Sequence, residues 1–238
     1  LLERTLLPVE TARWLCGHMM EFRNALVMTF DRVGPDGEDA RGALVVERME
    51  ELNASIGRWM EANEPYIAHV DPMERALEGE APIQMMVCGT VERMRRAEAR
   101  LLEHPGVSAV GVTTRIWGGG DEVALHRTEY PERNLSIVDI LPAGCGKGPA
   151  LLRLAAERGV NAEEIVAIGD NWNDLSMLEM AGRAVLMANA PEDLKTLAKE
   201  RGWTIGGRHE EDAVAVAIEA VLAGRKPELA AAALSGTL

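Results

Sequence analysis

Ile165-Val166-Ala167-Ile168-Gly169-Asp170-Asn171-Trp172-Asn173-Asp174 decides how this 238-residue chain reads. Its first four residues are apolar without alternation, the pattern of a strand buried on both faces. The run stops at Gly169, and acidic and amide side chains then crowd the carboxyl end, where open α/β sheets place their ligands. Asp170 would emerge there with its carboxylate free to meet a hard cation such as Mg2+, which prefers oxygen ligands. The plain alternative is that Asn173 or Asp174 caps the following helix, since both residue types accept from orphan backbone N–H groups. Asp170, Asn173 and Asp174 within five residues are more than one cap requires.

Strands and helices alternate on both sides of this stretch. Strands are expected over residues 135–141, 165–169, 184–187 and 203–205, and helices over 147–158, 175–181, 191–201 and 211–222. Repeated β–α units predict a parallel, doubly wound, Rossmann-like sheet. The earlier part of the chain has a different rhythm. Helices over 8–22, 49–62 and 91–103 and strands over 25–30, 41–47, 83–87, 107–117 and 122–128 describe an α+β module with an open sheet. Pro131-Glu132-Arg133-Asn134 marks the change, so residues 1–132 read as one domain, 133–224 as a second and 225–238 as an Ala-rich tail.

The second chemical signal is Pro142-Ala143-Gly144-Cys145-Gly146-Lys147-Gly148. A lysine at a helix start faces the positive end of the helix dipole, a mildly unfavourable place. An anion bound beside it would reverse that, because ammonium and helix N-terminus would act on the same charge. The spacing does not fit the phosphate-binding loop of nucleotide hydrolases, which needs four residues between its first glycine and the Gly-Lys, then Ser or Thr.

Composition narrows the class. The formal charge of −13 argues against nucleic acid or an anionic membrane as the main partner. Scarce aromatics with abundant Ala, Leu, Val and Gly suit an α/β protein. Cys16, Cys88 and Cys145 form no CxxC pair, which supports neither a zinc site nor a disulfide framework. No apolar run reaches membrane-spanning length, so the expected setting is reduced and cytoplasmic. The five histidines lack metal-like spacing. Oligomeric state is left open.

Taken together, the lysine-bearing helix, the next strand and Gly-Asp-x-x-Asn-Asp resemble the third and fourth motifs of the haloacid dehalogenase superfamily. Lys147-Gly148-Pro149-Ala150-Leu151, Gly169 to Asp174 with Met177-Leu178, and Val185-Leu186-Met187-Ala188-Asn189-Ala190 resemble its Cof-type phosphatases in particular. Glu211-Asp212-Ala213-Val214 stands where the family usually has Asp-Gly-Val, with Ala for Gly. The resemblance implies a Mg2+-dependent phosphatase of a small phosphorylated metabolite, sugar phosphate-like, working through an aspartyl-phosphate. Asp170 would be the metal ligand, Lys147 would neutralise the transferring phosphoryl group, Asn173 would contact phosphate or substrate, and Asp174 would orient Lys147. Residues 1–132 would be the α+β cap of the type inserted between the two halves of the catalytic core.

The family's nucleophile lies in an Asp-x-Asp motif, and these 238 residues contain none. Phe30-Asp31-Arg32-Val33-Gly34-Pro35-Asp36-Gly37 has its acids five apart and reads as a turn between strands. The missing segment is expected upstream of Leu1, and residues 1–238 alone are expected to be inactive. A non-catalytic binding or regulatory protein on the same scaffold is the alternative from another class, and a phosphomutase is a weaker enzymatic one.

Overall fold

A computed structural model describes residues 4–35, 37–103, 107–109 and 123–224. The chain divides into two compact units, Leu1–Cys145 and Gly146–Leu238.

Among its described residues the first unit has seven strands: β1 (Leu26–Thr29), β2 (Leu44–Val46), β3 (Ile67–His69), β4 (Gln84–Gly89), β5 (Val107–Ala109), β6 (Val123–Tyr130) and β7 (Leu135–Pro142). They lie in the order β3-β2-β1-β4-β7-β6-β5. Among the described residues three α-helices accompany them: α1 (Val9–His18), α2 (Glu50–Ala62) and α3 (Val91–Leu101). Period-two alternation divides the strand residues between two apolar layers. Met28, Met85, Val87, Val138 and Ile140 join Leu15 and Cys16 of α1 and Met94 and Leu101 of α3 in one core. Val27, Met86 and Cys88 join Leu52 and Met60 of α2 in the other. Central β4 is therefore apolar on both faces, which explains the continuous run from Met85 to Cys88.

A buried ion cluster ties this unit together. Arg23, 2 % exposed, donates from Nε to the Cys16 carbonyl at 3.1 Å, from Nη1 to Glu47 at 2.5 Å, and from Nη1 and Nη2 to Glu74. Burial, the largest single influence, pushes the Glu74 carboxyl up, but the Arg23 hydrogen bond, a backbone hydrogen bond and the charges of Arg23 and Arg13 together outweigh it and hold that carboxyl below its usual range. The stretch around Asp31 is a turn between antiparallel β1 and β2, as its Gly and Pro content predicts.

One expected strand belongs elsewhere. Residues 135–141 read as the first strand of the parallel domain, yet β7 pairs antiparallel with both β4 and β6 in the first sheet. The reason is connection length. Only residues 131–134 separate β6 from β7, and a parallel crossover needs a dozen or more. A tight turn with Asn134 at φ 47° reverses the chain instead, and Asn134 Oδ1 accepts the Val91 N–H at the start of α3. The boundary thus falls after Cys145 rather than at residues 132–133. Of the strand expected over 107–117, Val107–Ala109 is present as β5; the remainder, and the glycine turn at 118–120, lie outside the described residues.

The second unit alternates as its sequence predicts: α4 (Lys147–Arg158), β8 (Val166–Gly169), α5 (Leu175–Met180), β9 (Arg183–Leu186), α6 (Glu192–Glu200), β10 (Thr204–Ile205) and α7 (Ala213–Leu222). Its three strands are parallel in the order β10-β9-β8. Ala167, Leu175, Leu178, Leu186, Leu194 and Ala198 form its core. Trp172, half-buried, packs against that core.

Candidate active site

The site grows from the carboxyl end of β8. Gly169 closes the strand, and residues Asn171 to Asp174 turn back over it in a 3-10 helix that leads into α5. Asp174 folds under its own strand end, and its Oδ2 accepts the backbone N–H groups of Asp170 at 2.9 Å and Asn171 at 3.3 Å. This needs a glycine at 169: a Cβ there would lie 2.6 Å from Asp174 Cβ and 2.8 Å from its Oδ2. Asp174 therefore does not cap the helix that follows, the plain alternative for a strand-end acid; it makes no side-chain cap on α5 and reaches back to the strand end with one carboxylate oxygen.

The other oxygen, Oδ1, accepts from Lys147 Nζ. Asp174 is buried while the Lys147 side chain stays 49 % exposed, so the ammonium keeps donors open to solvent. Lys147 is the first residue of α4, and Gly146 before it (φ 149°) and Gly144 (φ 73°) adopt backbone conformations that favour glycine. Gly148 brings α4 against α5, because a Cβ there would meet the Ser176 carbonyl oxygen at 2.7 Å and Met180 Sδ at 2.6 Å. Its N–H, an orphan of the helix start, donates to Ser176 Oγ at 3.0 Å. Ser176 is fully buried. It was not singled out in the sequence, where a serine one residue inside a helix looks like an ordinary surface position.

Asp170, half-buried, accepts on Oδ2 from Asn189 Nδ2 at 3.0 Å. Asn173 is half-buried, and among the described residues its amide has no hydrogen-bond partner. The structure thus joins Lys147 to Asp174 directly and Asp174 to the backbone of Asp170. Asn173 shares their turn without bonding to them.

Among the described residues, no group of three or more His, Cys, Asp or Glu side chains is placed to hold a metal. Mg2+ commonly takes one or two protein carboxylates and completes its shell with waters and phosphate oxygens. Asp170 fits as one such ligand: it is a hard oxygen donor at a strand end, not consumed by a cationic partner. Asp174 does not fit, because both its oxygens are engaged. No helix among the described residues is long and apolar enough to cross a membrane.

The parallel unit, the lysine at one helix start and the two aspartates bracketing a strand-end turn make an α/β protein with a polar site at its strand ends. A family model of haloacid dehalogenase-like hydrolases matches residues 57–218, and the chain belongs to that family. It is similar to the 5-amino-6-(5-phospho-D-ribitylamino)uracil phosphatase of Bacillus subtilis, with 43 % identity over 89 residues, 37 % of this chain and 30 % of that one. An HMP-PP phosphatase of Serratia proteamaculans is 40 % identical over 78 residues, 33 % of this chain and 28 % of the relative. The matched segment therefore spans less than a third of either relative. In fold, the chain resembles a sugar phosphatase of haloacid dehalogenase subclass IIB, with TM-score 0.63 and 18 % identity, covering 92 % of this chain and 69 % of that one.

Proposed function

We propose that this chain is part of a Mg2+-dependent phosphatase of a small phosphorylated metabolite, with the first unit as substrate cap and the second as half of the catalytic core. The observation that carries the reading is the Lys147–Asp174 pair beside Asp170 at one strand end. It supplies a half-exposed ammonium for phosphoryl oxygens and, next to it, a carboxylate suited to a hard cation. The names of the similar proteins, phosphatases of a phosphorylated ribityl compound and of HMP-PP, support the substrate class. A cytoplasmic setting belongs to the same reading.

Asp170 would hold Mg2+, which supplies the positive charge that lets an anionic nucleophile approach an anionic phosphate ester. Lys147 holds the phosphoryl oxygens as charge gathers on them, and Asp174 fixes the ammonium in place so that little reorganisation is needed. Asn173 offers an uncommitted amide donor to phosphate or leaving group. The reacting carboxylate belongs to an Asp-x-Asp pair that is not among these 238 residues. It would displace the alcohol from phosphorus to give an aspartyl-phosphate, which water then hydrolyses.

The test is a panel of phosphorylated metabolites offered to the complete protein with and without Mg2+. Turnover that requires Mg2+ and is lost in Asp170→Asn and Lys147→Met is expected. Metal-independent turnover, or full activity in either variant, overturns the reading.

A further inference from the structure

Asn189 lies at the carboxyl side of β9, and its amide is used at both ends. Nδ2 donates to Asp170 Oδ2 at 3.0 Å, and Oδ1 accepts the backbone N–H of His209 at 3.2 Å. A backbone N–H can only donate, so it dictates which end of the amide faces His209 and leaves the NH2 end for Asp170. The loop that supplies this N–H is itself fixed to the end of β9: Gly206 N–H donates to the Leu186 carbonyl at 2.8 Å, and Ala188 N–H to the Gly207 carbonyl at 3.0 Å.

We infer that Asn189 is the positioning residue for the Asp170 carboxylate, locking its rotamer by engaging Oδ2 and presenting Oδ1 to the cation; this rests on the reading of Asp170 as the Mg2+ ligand. The physical reason is preorganisation. A carboxylate free to rotate must be ordered when the metal arrives, whereas one held by a hydrogen bond is ordered beforehand. The amide is suited to this, because a second carboxylate at that distance would repel Asp170 and a lysine would neutralise it. His209 enters through its main chain only, its side chain being exposed. Three strand ends of the second unit, those of β8, β9 and β10, are joined through Asn189 to one carboxylate oxygen.

The test is Mg2+ binding to the complete protein, by calorimetry with the metal alone, in Asn189→Ala, His209→Pro and Asp170→Asn. Loss of an outer-shell partner typically weakens metal binding by about 10–100-fold, and Asn189→Ala is expected in that range. Its apparent Mg2+ requirement in turnover should rise while kcat at saturating Mg2+ largely recovers, which a general loss of structure would not produce. His209→Pro removes only the N–H that orients the amide. Position 209 opens a 3-10 turn, and Arg208 at φ −80°, ψ 151° already has the conformation that precedes proline. It should weaken Mg2+ in the same direction by a smaller factor, and it carries the test alone if Asn189→Ala fails to fold. Wild-type Mg2+ affinity in the folded Asn189 and His209 variants, with binding lost in Asp170→Asn, overturns this inference and leaves the metal site standing. Undiminished affinity in Asp170→Asn overturns the metal site and the inference with it.

Discussion

Asp174 holds the Lys147 ammonium with one carboxylate oxygen and the backbone of its own strand end with the other. One buried side chain thereby fixes both the lysine and the turn that presents Asp170. Asn at 174 keeps the shape and an acceptor for the backbone but turns an NH2 toward Lys147. We expect Asp174→Asn to lower kcat of the complete protein by about 10²–10³-fold, the usual effect of losing one organised charge-stabilising group. Lys147→Met leaves a buried carboxylate without its countercharge. It should lower activity at least as far and destabilise the second unit by about 1–3 kcal/mol, discounted because the lysine is half exposed. Steady-state kinetics and urea unfolding of both variants check this.

Gly169 and Gly148 should fail for different reasons. A methyl at 169 collides with Asp174 Cβ and Oδ2, so the acid must swing out and release both Lys147 and the strand-end N–H groups. A methyl at 148 collides with the backbone of Ser176 and separates α4 from α5. Overpacking of this kind costs about 1–3 kcal/mol. Gly169→Ala is expected to lose activity out of proportion to its stability loss, and Gly148→Ala to lose both together. Comparing kcat with the unfolding midpoint of each variant distinguishes them; equal activity in Gly169→Ala would show that Asp174 need not fold back.

The Arg23–Glu74 pair sets an acid limit on the first unit. The folded Glu74 carboxyl titrates below its unfolded value, so the unfolded state binds its proton more readily. Its stabilising contribution is present above the unfolded pKa of about 4.3 and is lost as pH falls through the folded value. Glu74→Gln should destabilise by about 2 kcal/mol at neutral pH, the range for a hydrogen bond to a charged group, because Glu47 still pairs with Arg23. As pH falls through the folded value the parent loses that charge and should converge on the variant, which never carried it. Thermal unfolding across pH 3–7 is the measurement.

Thiol chemistry should separate the cysteines. Burial pushes Cys16 and Cys88 up to about 12, with nearby Asp139 and Glu51 adding to the rise at Cys88, whereas Cys145 is only half-buried. Because the thiolate is the reactive form, both buried cysteines stay protonated and inert at pH 8. Iodoacetamide at that pH should label Cys145 first and reach Cys16 and Cys88 only on unfolding. Early labelling of Cys16 or Cys88, read by peptide mass, would contradict their burial.

The second unit was largely legible in its sequence because its elements are short, punctuated and of uniform type. The α4 start at Lys147 and the Gly-Asp turn carry local signals that tertiary contacts did not override. The unalternating run does form β8, but Val166 and Ile168 are only half-buried, so the strand is not covered on both faces as its pattern suggests. β7 was misread because its apolar residues satisfy either sheet, and the deciding fact is the brevity of Pro131–Asn134 rather than the strand itself. The Lys147 partner of Asp174 is implied by the family resemblance, whereas its backbone partners at the strand end are not. The partners of Ser176 and Asn189 could not be anticipated, since Ser176 meets Gly148 only when α4 packs on α5, and Asn189 meets Asp170 only when two parallel strands end side by side.

The edge of β8 makes the last prediction. β8 pairs with β9 on one side, and among the described residues no strand lies on its other side. Such an edge presents unpaired N–H and C=O groups, a template for another strand. Val214, Ile218 and Leu222 fall on one stripe of α7 and are 43 %, 48 % and 82 % exposed, which adds apolar surface to the same unit. In the proposed phosphatase the strand bearing Asp-x-Asp is the natural partner of that edge, since the reacting carboxylate must meet Lys147 and Asp170. We therefore expect these 238 residues by themselves to bind a hydrophobic dye, to self-associate with rising concentration and to release no phosphate from any ester. Adding the Asp-x-Asp half should restore Mg2+-dependent turnover and suppress dye binding together. Mg2+-dependent turnover by the 238 residues alone, abolished by Asp170→Asn, would show that the nucleophile is within them after all.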